Sequence, residues 1–144
     1  RSNKIIDNIR GLGIDIINNA KSGHPGVVLG AAPIIYSLYG YHLKIDPKEE
    51  KWINRDRFVL SGGHASALLY STLFMAGYNI SIEDLQNFRH LNSNTPGHPE
   101  YGITPGVDVS TGPLGQGIAN GVGMAISETY LREFFGNEII NYYT

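Results

Sequence analysis

The chain has 144 residues, 42% of them hydrophobic, which suffices for one domain with a single buried core and is too apolar for a disordered segment. Its 11 basic and 13 acidic residues are spread along the chain and give a formal net charge of −2, so the electrostatic footprint of a nucleic-acid or anionic-membrane binder is missing. There is no cysteine for a disulfide or a thiolate metal site, no apolar run reaches the ~18 residues of a membrane span, and no signal peptide heads the sequence, so a soluble cytoplasmic protein is expected.

From Asn3 to Ala20, Ile5, Ile6, Ile9, Leu12, Ile16 and Ile17 recur at three- and four-residue steps, which predicts an amphipathic helix. Ser22-Gly23-His24-Pro25-Gly26-Val27 follows as a loop in which Pro25 excludes a helical conformation for His24. A second helix is expected over Leu29 to Leu43, with Pro33 in its first turn and Tyr36, Leu38, Tyr39, Tyr41 and Leu43 giving a core-facing stripe. Lys44 to Arg57 reads as a charged connector whose ion pairs lie on a solvated face.

Phe58-Val59-Leu60, halted by Ser61-Gly62-Gly63, suits a buried strand of a parallel sheet. A helix from His64 to Ala76, closed by Gly77, comes next and places His64 at a strand-to-helix junction, where open α/β sheets bind their ligands. Ser81 and Asp84 resemble a capping box for a short helix to about Phe88. Arg89 to Val109 has no helical period and reads as a long functional loop, with Val107-Asp108-Val109 a short strand at its end. A helix then runs to Phe135, capped by Gly136, and the apolar tail approaches a further strand.

The turn into that last helix, Ser110-Thr111-Gly112-Pro113-Leu114-Gly115-Gln116-Gly117, has two readings. One is an anion or cofactor edge held by unpaired N–H groups and the helix dipole; the other is a tight turn before a helix that packs closely through Gly121 and Gly123. Its spacing fits neither G-x-G-x-x-G nor a Walker loop. Three of the five histidines lie on glycine-punctuated turns, namely His24, His64 and His98. Imidazoles on stiff turns suit proton transfer and polar substrate contacts, whereas His42 and His90 read as ordinary residues near helix ends. No pair has zinc-ligand spacing and no G-x-S-x-G elbow is present, so no metal ligand is assigned.

Four ordered motifs carry a resemblance: Ser22-Gly23-His24-Pro25-Gly26, Trp52 through Ala65, Thr95-Pro96-Gly97-His98-Pro99-Glu100 and Thr111-Gly112-Pro113-Leu114-Gly115-Gln116-Gly117 are similar to those of the transketolase family. Gly62 and Ser66 depart slightly from the family's pattern. The resemblance implies an α/β fold, with residues 1–144 the front part of a thiamine-diphosphate-binding domain in which helices surround an incomplete parallel sheet and this segment is mostly helical. It implies transfer of a two-carbon ketol unit from a ketose phosphate to an aldose phosphate in the pentose phosphate pathway, the carbanion chemistry belonging to thiamine diphosphate. By matched motif, His24 resembles the histidine at the donor C3 hydroxyl, His98 the one at the C1 hydroxyl, and Arg89 a substrate-binding arginine. His64 resembles a contact to the cofactor's diphosphate, and Gly112 and Leu114 resemble contacts to its rings.

The resemblance also implies a homodimer, and a Mg2+ or Ca2+ ion held by a Gly-Asp-Gly segment expected after Thr144. It implies a cytoplasmic enzyme, or a plastid one where a transit peptide has been removed. Dihydroxyacetone synthase shares these motifs and is the alternative within the enzyme class. A non-catalytic assembly module on the same fold, or a generic phosphate binder built on the glycine turn, is the alternative outside it. Without later strands, the apolar helix faces around Tyr36, Leu69 and Ile126 are expected to lack partners. Assayed alone, the 144 residues are expected to show no ketol transfer from xylulose 5-phosphate, because the metal segment and the partner subunit's glutamate lie elsewhere; turnover by the purified chain would overturn this.

Overall fold

The isoleucine period produces helix α1 (Ser2–Ala20), which buries Ile9, Gly13, Ile16 and Ile17. The architecture is that of a computed structural model describing residues 2–144. Helix α2 (Pro25–Ser37) starts earlier than the expected Leu29, at Pro25, whose fixed φ and missing N–H suit a first helical position. Pro33 therefore lies inside the helix and not in its first turn. A proline there leaves the carbonyl of Leu29 without its helical partner, and Arg10 Nε of α1 donates to that oxygen at 3.0 Å. α2 runs on into a π-helical turn over Leu38–His42.

Helix α3 (Ser66–Ala76) has eight consecutive buried residues, Ser66 to Leu73. A helix apolar all round belongs in the middle of a core, and α1 and α2 both pack on it and on each other. Its polar members do not break the core, because Ser71 and Thr72 donate to the carbonyls of Ala67 and Leu68 at 2.8 Å each. Leu69 is consequently buried at 2% exposure, against the expectation that it would lack partners. Helix α4 (Ile82–Gln86) opens with the expected capping box, Ser81 and Asp84 each meeting the other's backbone N–H. Burial opposes the Asp84 charge, but hydrogen bonds from Ser81 and Asn94 outweigh it and lower the pKa. The cap's charge-dependent share of stability is thus complete above the ordinary carboxylate range and lost as pH falls through the lowered value.

The loop after α4 is ordered. Thr95 Oγ1 donates to Asp84 O at 2.6 Å, Thr104 Oγ1 to Asn94 O at 2.6 Å, and Thr95, Pro99 and Thr104 are buried. Neither expected strand forms among the described residues: Phe58-Val59-Leu60 and Val107-Asp108-Val109 carry no strand pairing. Carboxylates replace the ladder. Phe58 N donates to Asp108 Oδ2 at 2.9 Å, Tyr143 N to Asp56 Oδ1 at 2.8 Å, and the one main-chain bond between the connector and the tail runs from Arg57 N to Tyr143 O at 2.8 Å. Lys44, Asp46, Lys48, Glu49 and Lys51 are exposed, as a solvated face requires, but the charges at the connector's end, Arg55, Asp56 and Arg57, are structural. Asp56 is 5% exposed, Arg55 Nη2 meets Asp108 Oδ1 at 2.6 Å, and Arg57 lies 3.6 Å above the Tyr142 ring. The expected tyrosine stripe is only partly internal: Tyr39 stacks edge-on against Phe58, whereas Tyr41 is exposed.

Helix α5 (Gln116–Phe135) stands apart from that core and buries only Gly117 and Glu128. Its docking point is Gly117, where a side chain's Cβ would fall 2.9 Å from Ser61 Cβ and Oγ; Gly121 makes only ordinary contacts and Gly123 none, so the close packing expected there sits one turn earlier. Along its length Ile118, Val122, Ile126, Tyr130 and Phe134 form an exposed stripe at four-residue spacing, as expected for the surroundings of Ile126. Dye binding checks this: the 144-residue chain should raise the fluorescence of a hydrophobic dye, and Val122→Glu with Ile126→Glu should lower that signal, an unchanged signal overturning the assignment. In the protein that carries this chain, Gly117→Ala should cost about 1–3 kcal/mol by overpacking against backbone, whereas Gly11→Ala, at an open helical position, should gain up to about 1 kcal/mol. Chemical denaturation of the two variants measures both signs.

Candidate functional site

Three histidine turns and the glycine turn, far apart in sequence, meet at one end of α3. His24 occupies the N-cap position of α2 with φ −123° and ψ 87°, outside the helical region as Pro25 requires, and its side chain makes no cap bond and is exposed. His64 lies in a 3-10 turn, Gly63–Ala65, that leads into α3. The two imidazole rings sit edge to face with centroids 5.1 Å apart and planes at 66°.

The second turn is pressed onto the glycine turn through Gly63. A Cβ there would lie 2.8 Å from Thr111 C and O and 2.9 Å from Gly112 N, so only glycine permits the approach. The His98 turn is fastened to the buried face of α3: Ser66 Oγ donates to Gly97 O at 2.8 Å and Tyr70 OH to Pro96 O at 2.8 Å. Burial pushes the Tyr70 phenol well above its ordinary pKa, which keeps it a donor. Thr111 N closes the ring of contacts on Pro99 O at 3.1 Å. The His98 ring is then the nearest group to the open side of Gly112, 3.8 Å from where its Cβ would be.

The glycine turn ends at Gly115, the N-cap of α5, with φ 88°. Its first-turn amides are largely taken up within the chain, Gln116 N by Pro113 O and Ile118 N by Ser61 Oγ, which leaves less anion-binding capacity than a bare helix start has. Backbone approaches closely at Gly63 and Gly117, and not at the Gly121 and Gly123 of the packing expectation. Leu114 projects from the glycine turn at 78% exposure. Thr111 Oγ1, in contrast, is buried beside Gly112 without a hydrogen-bond partner.

Arg89 lies on the other side of His98, at the rim of a cleft of about 390 Å³ whose lining includes Ser22, Phe88, Gly97 and His98. Its backbone is left-handed, φ 64°, and is held by a bond from Arg89 N to Thr95 O at 3.0 Å. Nη1 donates to Ser22 Oγ at 2.7 Å. The structure thus brings together His24, His64, His98, Gly112 and Arg89 and leaves Leu114 at the margin. His90, which bonds Asn87, lines the same cleft as Arg89 and His98, whereas His42 lines a separate apolar groove outside the site. No cluster of three His, Cys, Asp or Glu suited to a metal ion is found among the described residues. Sequence reading missed Ser22, Ser61, Ser66 and Thr111, each a short polar residue next to a motif histidine or glycine. Ser66, read as a minor departure, is in fact the tether of the His98 turn.

Known proteins agree with this geometry. Residues 1–144 match the family described as transketolase, thiamine diphosphate binding domain. The chain is 54% identical over 143 residues to the transketolase of Aquifex aeolicus, covering 97% of this chain and 21% of that protein. It is 56% identical over 142 residues to that of Geobacillus stearothermophilus, covering 96% and 21%. Among solved structures, transketolase from Leishmania mexicana superposes with a TM-score of 0.97 at 48% identity over 100% of this chain and 22% of that one. A Pichia stipitis transketolase in complex with sedoheptulose-7-phosphate gives 0.89 at 52% identity, over 92% and 19%. The chain therefore spans about a fifth of the length of the relatives it matches. On a match that runs from its first residue to its last, this chain belongs to the transketolase thiamine-diphosphate-binding domain family.

Proposed function

We propose that this chain forms one wall of the active site of a transketolase, which moves a two-carbon ketol unit from a ketose phosphate to an aldose phosphate. The observation that carries the reading is the convergence itself: His24 and His64 with rings 5.1 Å apart, and His98 beside Gly112. These are the residues that the family resemblance assigns to donor and cofactor. A relative's complex with sedoheptulose-7-phosphate supports a sugar phosphate as substrate.

The residues present fit thiamine diphosphate. Gly112 is open on the side facing His98, and the buried Thr111 hydroxyl has no partner within the chain, as suits a polar guest at the glycine turn. When bound, thiamine diphosphate supplies a carbanion and an electron sink for C–C cleavage. Gly112 and the projecting Leu114 would hold its rings, and His64 would donate to its diphosphate. His24 takes the proton from the donor's C3 hydroxyl as the C–C bond breaks, and His98 orients the donor through its C1 hydroxyl. Pro25 restricts the backbone at His24, and tethers from Ser66 and Tyr70 hold the His98 turn, so the backbone that carries each imidazole is in place before substrate arrives. Arg89 provides a fixed positive charge next to His98 for an anionic part of the sugar. The metal, Mg2+ or Ca2+, is held by residues outside this chain, and the working unit is a cytoplasmic or plastid homodimer.

In the full-length enzyme, His24→Ala and His98→Ala should each lower kcat/KM for a ketose phosphate by about 10²-fold or more while the cofactor's calorimetric Kd is retained. His64→Ala should instead weaken cofactor binding by at least about tenfold. Unchanged cofactor affinity in His64→Ala would remove its assignment to the diphosphate. Turnover with formaldehyde in preference to an aldose phosphate would identify dihydroxyacetone synthase.

A further inference from the structure

Arg89 is held in an unusual state for an arginine. Its side chain has one hydrogen-bond partner among the described residues, Ser22 Oγ at 2.7 Å from Nη1, and it joins none of the ion pairs, which are Arg10–Asp7, Arg55–Asp108 and Arg132–Glu128. Nε is buried and has no acceptor. A guanidinium presents five donors in a rigid fork; Ser22 takes one and Nε is shut off from solvent, so the terminal N–H donors without a partner in the chain are the ones left for an oxyanion in the cleft.

Three features fix the guanidinium in that incomplete state. The left-handed backbone at Arg89, costly for a non-glycine residue, is maintained by the bond to Thr95 O. Gly97 provides the floor: a Cβ there would stand 3.4 Å from Nε and 3.6 Å from Cγ, so the stem lies flat against glycine backbone one residue before His98. Ser22 supplies the third hold, from the turn that carries His24.

We propose that Ser22 is a positioning residue for substrate binding. Its hydroxyl holds the Arg89 guanidinium across the cleft between the His24 and His98 turns, so that the remaining donors of the fork meet the oxyanion of the sugar phosphate. This rests on the reading of Arg89 as a substrate-binding arginine in a transketolase. Ser22 touches no substrate; it acts through the orientation of Arg89. Because a serine accepts one hydrogen bond without neutralising the charge, the arginine keeps its full attraction for a phosphate, which an aspartate at this position would cancel.

The test uses the full-length holoenzyme with steady-state kinetics on a ketose phosphate and on the corresponding unphosphorylated ketose. Ser22→Ala should raise KM for the ketose phosphate about three- to tenfold, with the effect in KM and not kcat, and leave KM for the unphosphorylated ketose in place. Ser22→Thr, which retains the hydroxyl, should restore the wild-type KM. Inorganic phosphate, used as a competitive inhibitor, should bind Ser22→Ala more weakly by a similar factor. In an Arg89→Ala background, adding Ser22→Ala should change nothing further. If Arg89→Ala raises KM and Ser22→Ala does not, or if Ser22→Ala acts equally without Arg89, the positioning role is overturned and the Arg89 reading stands. If Arg89→Ala leaves both KM values unchanged, the Arg89 reading fails and takes the proposal with it. Absence of ketol transfer in the wild-type enzyme would refute the proposed function instead.

Discussion

Two glycines that admit backbone where a side chain would clash hold this site together. Gly63 lets the His64 turn rest on the Thr111–Gly112 peptide, and Gly117 lets α5 rest on Ser61. Each removes a Cβ from a contact below 3 Å, and in each case at least one opposing atom is backbone or the carbon next to it, which cannot swing away. Without the first contact, the histidine turn and the glycine turn separate by the width of a methyl group. Without the second, the helix that the glycine turn feeds loses the docking of its first turn. The placement of His64, Gly112 and Leu114 relative to one another therefore follows from two missing methyl groups more than from any hydrogen bond.

Around that contact, α3 acts as the anvil. Its eight-residue buried run fixes the position of Ser66 and Tyr70, and these reach out of the core to hold Gly97 O and Pro96 O. The His98 turn has no secondary structure of its own, so its position is inherited from a helix that cannot move without disturbing the core. The same logic applies to His24, whose turn is the start of α2, and to Arg89, whose backbone follows α4. Exposed loops are thus mounted on helices, with short polar tethers at Gly97, Pro96 and Arg89.

Much of this was legible in sequence because the signals were local. The isoleucine period of α1, the Ser81–Asp84 box and the glycine at the end of α3 each act within a few residues, and the structure has all three. The three histidines were also legible, on glycine-punctuated turns, whereas Arg89 was pointed to only by the family resemblance. What escaped was non-local. Phe58-Val59-Leu60 has strand composition, but a strand exists only by pairing, and here Asp108 and the tail supply its polar partners. The connector's charges looked solvated because nothing in Arg55 or Asp56 announces a partner more than fifty residues away at Asp108 or Tyr143. Ser22 and Ser66 escaped for the same reason: a serine beside a motif looks like filler until the atom it bonds is known.

The difference between α3 and α5 shows where rigidity ends. Both are long enough to be regular, yet α3 is buried on all sides and α5 only at Gly117 and Glu128. Helix propensity adds little to α5, which carries three glycines within its first eight residues, so packing must supply most of its order. Packing within this chain acts chiefly at its first turn, on Ser61. The N-terminal end of α5, which follows the turn carrying Gly112 and Leu114, is thereby held on Ser61 through Gly117 and the Ile118 amide, while the order of its far end depends on whatever covers Ile126, Tyr130 and Phe134.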